Sequence, residues 1–244
     1  MDLTVIGYWG AYPDKNEATS GYLLEHKGSK ILLDCGSGVL SKLQNYTTLE
    51  ELDAVVITHL HADHMADVYS LEFATLISMQ LGRRLKPLEV YVYYKDSNRL
   101  DFSYPQYVNV HQVTPQSVVT IGELTLEFSE NIHEVPCCAV KVTSGEGKSL
   151  VYSGDTGYCQ KIIDFSWGVD VLVLESSFYS WQKELNQGHL TAGEAGQIAA
   201  IAQPGRLILT HLPHYGDHQQ LVLEASVHYN GEIQLAYCGM RLTI

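Results

Sequence analysis

The stretch Thr58-His59-Leu60-His61-Ala62-Asp63-His64 places three imidazoles and one carboxylate within six residues, directly after the short apolar run Ala54–Thr58. A run of that kind reads as a fully buried strand. In the extended segment that leaves it, residues i and i+2 point the same way, so His59 and His61 share a side. Asp63 and His64 lie just beyond, where a tight turn can aim them at a second ion. Imidazole nitrogen and carboxylate oxygen are the ligands that zinc takes at catalytic sites. A solvated histidine-rich loop is the competing reading, but such tracts are not expected to follow apolar strands.

Working outward, further short strands are expected at Leu3–Tyr8, Tyr22–His26 and Lys30–Asp34. Others fall near 90–94, 117–121, 124–129, 137–143 and 149–153, then at Asp170–Leu174 and Leu207–Thr210. Tyr69, Phe73, Leu76 and Ile77 repeat at helical spacing, and we read that stripe as core packing. Thr191–Ala202 reads as a helix that Thr191 and Glu194 open with a capping box. Two strand-rich halves, each with helices, predict two sheets packed together with helices outside. No repeat, low-complexity tract or linker divides the 244 residues, so one domain over 1–244 is expected.

The cluster is the H-x-H-x-D-H motif of the metallo-β-lactamase superfamily, and the resemblance continues in order along the chain. Leu33-Asp34-Cys35-Gly36-Ser37-Gly38 is similar to the superfamily's D-x-G-x-G element. His133 falls where the third motif's histidine is expected. Ser153-Gly154-Asp155-Thr156-Gly157 resembles the fourth motif, and Leu209-Thr210-His211-Leu212 the fifth. The resemblance implies an α/β fold, the four-layer αββα sandwich. It implies two zinc ions, with manganese as the alternative. His59, His61 and His133 would hold the first ion, Asp63, His64 and His211 the second, and Asp155 would bridge them. Two such ions ~3.5–4 Å apart share a water, lower its pKa towards neutrality and present hydroxide as the nucleophile. Asp63 would also orient that hydroxide.

His189, in Gly188-His189-Leu190-Thr191-Ala192, resembles the non-ligand histidine of the RNase Z and phosphodiesterase branch, which helps the leaving group. A departing alkoxide needs a proton, and histidine supplies one near neutral pH. Three further residues are read two ways. Asp34 supports a ligand histidine or forms a turn before Gly36-Ser37-Gly38. Glu175 partners His189 or is structural. His214 contacts substrate or sits in a loop. Tyr12, Thr19 and Ser20 lie in a loop that could border the site. His26, His111, His218 and His228 are expected at the surface.

RNase Z carries a basic arm between its third and fourth motifs, which grips transfer RNA. Here Asp155 lies only 22 positions after His133, enough for a short hairpin around Gly145-Glu146-Gly147. An arginine that RNase Z carries after its final ligand is also missing from His211-Leu212-Pro213-His214-Tyr215. The formal net charge is −13, poorly suited to a long nucleic acid. The expectation is a metal-dependent phosphodiesterase acting on a small or short phosphodiester. A glyoxalase II-like thioester or lactone hydrolase is the alternative, since a thiolate leaves without help. His64 and the lack of an apolar leader argue against a secreted β-lactamase. Five cysteines without a C-x-x-C pair, and no apolar run of membrane length, fit a cytoplasmic chain. The resemblance also implies a homodimer.

Overall fold

A computed structural model describes residues 1–95, 100–185 and 187–244. The first half of the chain contributes strands β1 (Asp2–Gly7), β2 (Gly21–His26), β3 (Ser29–Leu33), β4 (Ala54–Ile57), β5 (Leu88–Tyr93) and β6 (Val108–Val113), with helices α1 (Val39–Leu43), α2 (Ala62–Met65) and α3 (Val68–Gln80). The second half contributes β7 (Val118–Ile121), β8 (Leu124–Glu130), β9 (Cys138–Ser144), β10 (Ser149–Tyr152), β11 (Val171–Glu175), β12 (Arg206–Thr210), β13 (Glu232–Leu235) and β14 (Arg241–Thr243). Its helices are α4 (Gln160–Phe165), α5 (Ala192–Ala202) and α6 (His218–Ser226). Two seven-stranded sheets result, ordered β14-β1-β2-β3-β4-β5-β6 and β13-β12-β11-β10-β9-β8-β7.

Strand alternation explains the layering. Val56 of β4 joins the cluster between the sheets, with Val140, Val173 and Ile208 from the other sheet. Its neighbours Val55 and Ile57 turn outward to a second cluster with Val39, Val68 and Leu71 of the helices. In the second sheet, Leu172, Leu174, Leu207 and Leu209 meet Ile162, Ala195, Ile198 and Leu221 of α4, α5 and α6. Helix, sheet, sheet and helix therefore stack as the αββα sandwich. β4 lies parallel to both β3 and β5, and all four of its residues are buried, as its unbroken apolar run requires. β10, β11 and β12 also run parallel, so β4 and these strands deliver the residues that follow them from strand C-termini. Open α/β sheets bind ligands at such ends.

Two expectations are corrected. The α3 stripe faces outward: Tyr69, Phe73 and Ile77 are 39%, 47% and 53% exposed. The buried face instead carries Val68, Leu71, Glu72, Thr75 and Ser78. Its polar members find hydrogen-bond partners, which offsets the cost of burying them. Ser78 Oγ donates to Glu50 Oε1 at 3.0 Å, Thr75 Oγ1 to Leu71 O at 2.9 Å, and the Tyr104 amide to Glu72 Oε1. Tyr69 and Phe73 pack against Phe102 and Tyr104 of the following segment. His26, expected at the surface, is buried, with Nε2 3.5 Å from Glu146 Oε2 across the sheets. The capping box of α5 is present as expected. Among the described residues, no helix is long and apolar enough to cross a membrane.

Candidate metal centre

The metal-ligand candidates reach one rim of the sandwich through tight, specific backbone turns. At the end of β3, Asp34 takes φ 56 and turns its carboxylate inward. There Oδ1 accepts the Thr58 amide at 2.8 Å, which fixes the exit of β4. The Cys35 amide donates to His64 O at 2.8 Å and the Ser20 amide to Asp63 O at 3.2 Å, clamping the single turn of α2. That contact requires glycine at 36, since a Cβ there would lie 1.9 Å from Asp63 O. Gly154 (φ 58) makes the equivalent turn after β10, and a Cβ there would meet Cys138 O at 2.8 Å. His211 itself adopts φ 54 at the end of β12.

Two groups of ligand atoms converge. In the first, His61 Nδ1 lies 3.1 Å from both His59 Nε2 and His133 Nε2. Asp155 Oδ2 completes it, 3.5 Å from His59 Nε2 and 3.8 Å from His133 Nε2. In the second, Asp63 Oδ2 lies 3.1 Å from His211 Nε2 and 3.6 Å from His64 Nε2. Asp155 Oδ1 is 3.3 Å from His64 Nε2 and 3.5 Å from His211 Nε2. Four donors around one zinc, at bond lengths of ~2.0–2.2 Å, would sit roughly 3.3–3.5 Å apart. Both groups therefore have the spacing of a coordination shell, and Asp155 offers one oxygen to each. His64 Nε2 and Asp155 Oδ1 are buried and lack hydrogen-bond partners. Such groups cost about 1–3 kcal/mol each when left unpaired, and a shared cation satisfies both. The seven residues fit two divalent ions.

The remaining ring nitrogens are held from outside. His64 Nδ1 donates to Asp34 Oδ2 at 2.6 Å, and the same oxygen accepts Tyr152 OH at 2.7 Å and Thr58 Oγ1 at 2.9 Å. His133 Nδ1 donates to Gly188 O at 2.9 Å, and His59 Nδ1 to Thr58 Oγ1 at 3.2 Å. His211 Nδ1 donates to Ser177 Oγ at 2.8 Å, whose hydroxyl passes on to Glu175 Oε2 at 2.6 Å. Each bond fixes a tautomer that leaves the converging nitrogen free for a metal. The structure thus sets Asp34 against a ligand-candidate histidine. Neither Ser177 nor Tyr152 was singled out in the sequence. Their signal was position: Tyr152 precedes Ser153-Gly154-Asp155, and Ser177 follows Glu175 by two.

His189 stands beside the cluster. Its Nδ1 is 3.0 Å from Glu175 Oε1 and 4.0 Å from Asp155 Oδ2. Glu175 is fully buried and also accepts the amides of Thr156 at 2.8 Å and Leu190 at 3.1 Å. Glu175, His189 and His211 form a third convergent group. Because the glutamate oxygens already take four donors, that group reads as a hydrogen-bonded brace.

Electrostatics follow the same map. Burial lowers the His189 pKa, but the Glu175 carboxylate outweighs it and the value rises to about 9. Burial dominates at His59 and holds it well below the ordinary imidazole value, with the His64 charge adding to the effect. At His64, burial is overcome by Asp155 and Asp34, which raise its pKa well above the ordinary value. Burial would raise Asp63 and Asp155. Asp63 is instead lowered by its hydrogen bond to His211 and by the His64 and His211 charges. The charges on His211, His64 and His59 lower Asp155.

The other sequence-selected residues fall near the rim. The Ala11 amide donates to Asp63 Oδ2 at 2.8 Å, tying the 10–12 loop to the centre. His214 Nε2 donates to Tyr12 O at 2.7 Å. Thr19 and Ser20 are buried, and the Ser20 amide donates to Asp63 O.

A family described as Beta-lactamase superfamily domain matches residues 29–212. The chain is 41% identical over 240 residues to the probable metallo-hydrolase YhfI of Bacillus subtilis, covering 98% of each. The crystal structure of the metallo-β-lactamase fold protein YhfI from that organism superposes with a TM-score of 0.94 at 39% identity, over 99% of this chain and 98% of that one. A ribonuclease Z of Methanopyrus kandleri is 30% identical over 259 residues, covering 91% of each chain. With its sandwich, its ordered motifs and these relatives, the chain belongs to the β-lactamase superfamily as a compact, RNase Z-like metallo-hydrolase.

Proposed function

We propose that the chain is a dinuclear, metal-dependent phosphodiesterase acting on a small or short phosphodiester. The observation that carries this reading is the His189–Glu175 pair, a buried carboxylate bracing an imidazole that belongs to neither four-membered ligand group. Two divalent ions, zinc or manganese, supply a nucleophile from water at neutral pH and neutralise charge on the phosphate oxygens when bound. Asp63 accepts a hydrogen bond from the attacking hydroxide, whose parent water has already lost its proton to solvent, and orients it. Glu175 holds the His189 Nδ1 proton, so Nε2 is the nitrogen that donates. As the new P–O bond forms and the old one breaks, the Nε2 proton passes to the departing alkoxide. General acid help of this kind contributes ~10²–10⁴-fold.

Between His133 and Asp155 lie only the end of one loop and the hairpin of β9 and β10. This supports an RNase Z-like site without the arm that grips transfer RNA, and the net charge of −13 agrees. The outward stripe of α3 carries no charge, since the helix's one charged residue, Glu72, lies on its buried face. It supports pairing with a second copy, and a monomer at tens of micromolar in sedimentation velocity would exclude that.

The test compares bis-p-nitrophenyl phosphate with S-lactoylglutathione, with and without chelator. The reading predicts chelator-sensitive phosphodiester turnover that His189→Ala reduces strongly for diesters with alkoxide leaving groups. Turnover of the thioester alone would make the chain a glyoxalase II-like hydrolase and return His189 to a structural role.

A further inference from the structure

A cavity of about 270 Å³ opens beside the ligand cluster, and its floor includes His189 and His211. A larger one, about 610 Å³, lies by β13 and α6 and touches none of the ligand candidates. The smaller cavity has aromatic walls: Tyr12, Phe178 and Tyr215. No Lys, Arg, Asp or Glu lines it. Its volume falls below the ~300–1,000 Å³ typical of sites for whole drug-sized ligands. That is room for one flat ring system.

The walls are set in place. The Tyr12 ring lies on the His214 ring at 3.7 Å with 5° between planes, and His214 in turn stacks on Trp9 at 4.6 Å and 14°. The imidazole also holds the backbone of that loop through Tyr12 O. Tyr12 still keeps 58% of its surface exposed. Phe178, also in the lining, sits 6.1 Å from the His189 ring in an edge contact. Tyr215 is held by Gln182, its hydroxyl accepting Nε2 at 3.0 Å. Fixed aromatic faces in a space without Lys, Arg, Asp or Glu favour another aromatic ring, by stacking and by burial of apolar area.

We infer that this pocket binds a flat, uncharged aromatic ring of the substrate on the leaving-group side, with Tyr12 and Phe178 selecting for it. The side follows from His189, which forms part of the floor and is the proton donor in the proposed reaction, on which this inference rests. His214 positions Tyr12. The ring can come from a nucleobase or from a simple aryl ester.

Titration calorimetry of the metal-loaded protein with phenyl phosphate and methyl phosphate isolates the ring, because the phosphate is common to both. The expected preference for phenyl phosphate is roughly ten- to a hundredfold, the worth of one stacked ring. Phe178→Ala and Tyr12→Ala should each reduce it at least about threefold, and Tyr12→Phe should keep it. Unchanged methyl phosphate affinity and metal content show that the variants are folded. No preference in the native protein, or the same preference in both alanine variants, overturns the inference. Adenosine 5′-monophosphate in the same series separates the two sources: tighter binding than phenyl phosphate points to a nucleobase, weaker binding to an aryl ester. The parent reading fails separately. A protein that prefers the ring but turns over no phosphodiester refutes the phosphodiesterase, and one that turns over diesters without ring preference refutes the pocket.

Discussion

Asp34→Asn isolates the support behind one half of the centre. Asp34 is fully buried and accepts four hydrogen bonds, three of them at Oδ2 from Thr58 Oγ1, Tyr152 OH and His64 Nδ1. An asparagine that keeps its oxygen for the Thr58 amide presents NH2 to those three donors. The two hydroxyls can rotate and accept. The imidazole cannot: it must either leave Nδ1–H unpaired or move its proton to Nε2, the nitrogen aimed at the ion. An unpaired buried donor costs ~1–3 kcal/mol, and at ~2–4 °C per kcal/mol for a chain of this size Tm falls by about 2–12 °C. Loss of such a partner typically weakens metal binding ~10–100-fold. Because Asp34 touches only His64 among the candidate ligands, the loss should fall on the group of Asp63, His64, Asp155 and His211. The assay is a competition titration against a zinc chelator, read as two separate binding steps. One step weakened by tenfold or more, with the other unchanged, is the expected result. Two unchanged steps would refute the reasoning and leave Asp34 a turn former.

Three further changes test the frame around the site. Asp155→Asn removes a carboxylate from both ligand groups, so metal content by plasma mass spectrometry should fall at both positions. Retention of two ions per chain would disprove the bridging assignment. Gly36→Ala forces a methyl against Asp63 O, an overpacking cost of ~1–3 kcal/mol or more, and should lower both Tm and metal content. Thr191→Ala removes the side chain that accepts the Glu194 amide at 3.2 Å at the start of α5. It should cost ~1 kcal/mol, visible in thermal unfolding, with metal content unaltered.

What was legible in the sequence follows from where each residue sits. β4 and β12 are almost wholly buried, so their apolar runs stand out, and the first and fifth motifs begin where those runs end. The edge and peripheral strands carry weaker patterns. β6 (VNVHQV) exposes four residues in a row, and β13 (EIQL) has no buried residue, so neither shows the alternation that marks a half-buried strand. The short helices α1 and α4 bury two residues each, too few for a period to emerge. α3 misled for a different reason. Spacing reports which residues share a face, but which face is buried depends on partners such as Glu50 and Tyr104, distant in sequence. The same limit hid Ser177, whose link from His211 to Glu175 exists only once β11 and β12 lie side by side.

The most direct test of the central claim is a metal titration of the metal-stripped protein, following bis-p-nitrophenyl phosphate hydrolysis as zinc or manganese is added. Two convergent ligand groups sharing Asp155 predict a rate that rises to a plateau at two ions per chain. A plateau at one ion, or turnover that ignores metal altogether, would contradict a dinuclear centre built from these seven residues.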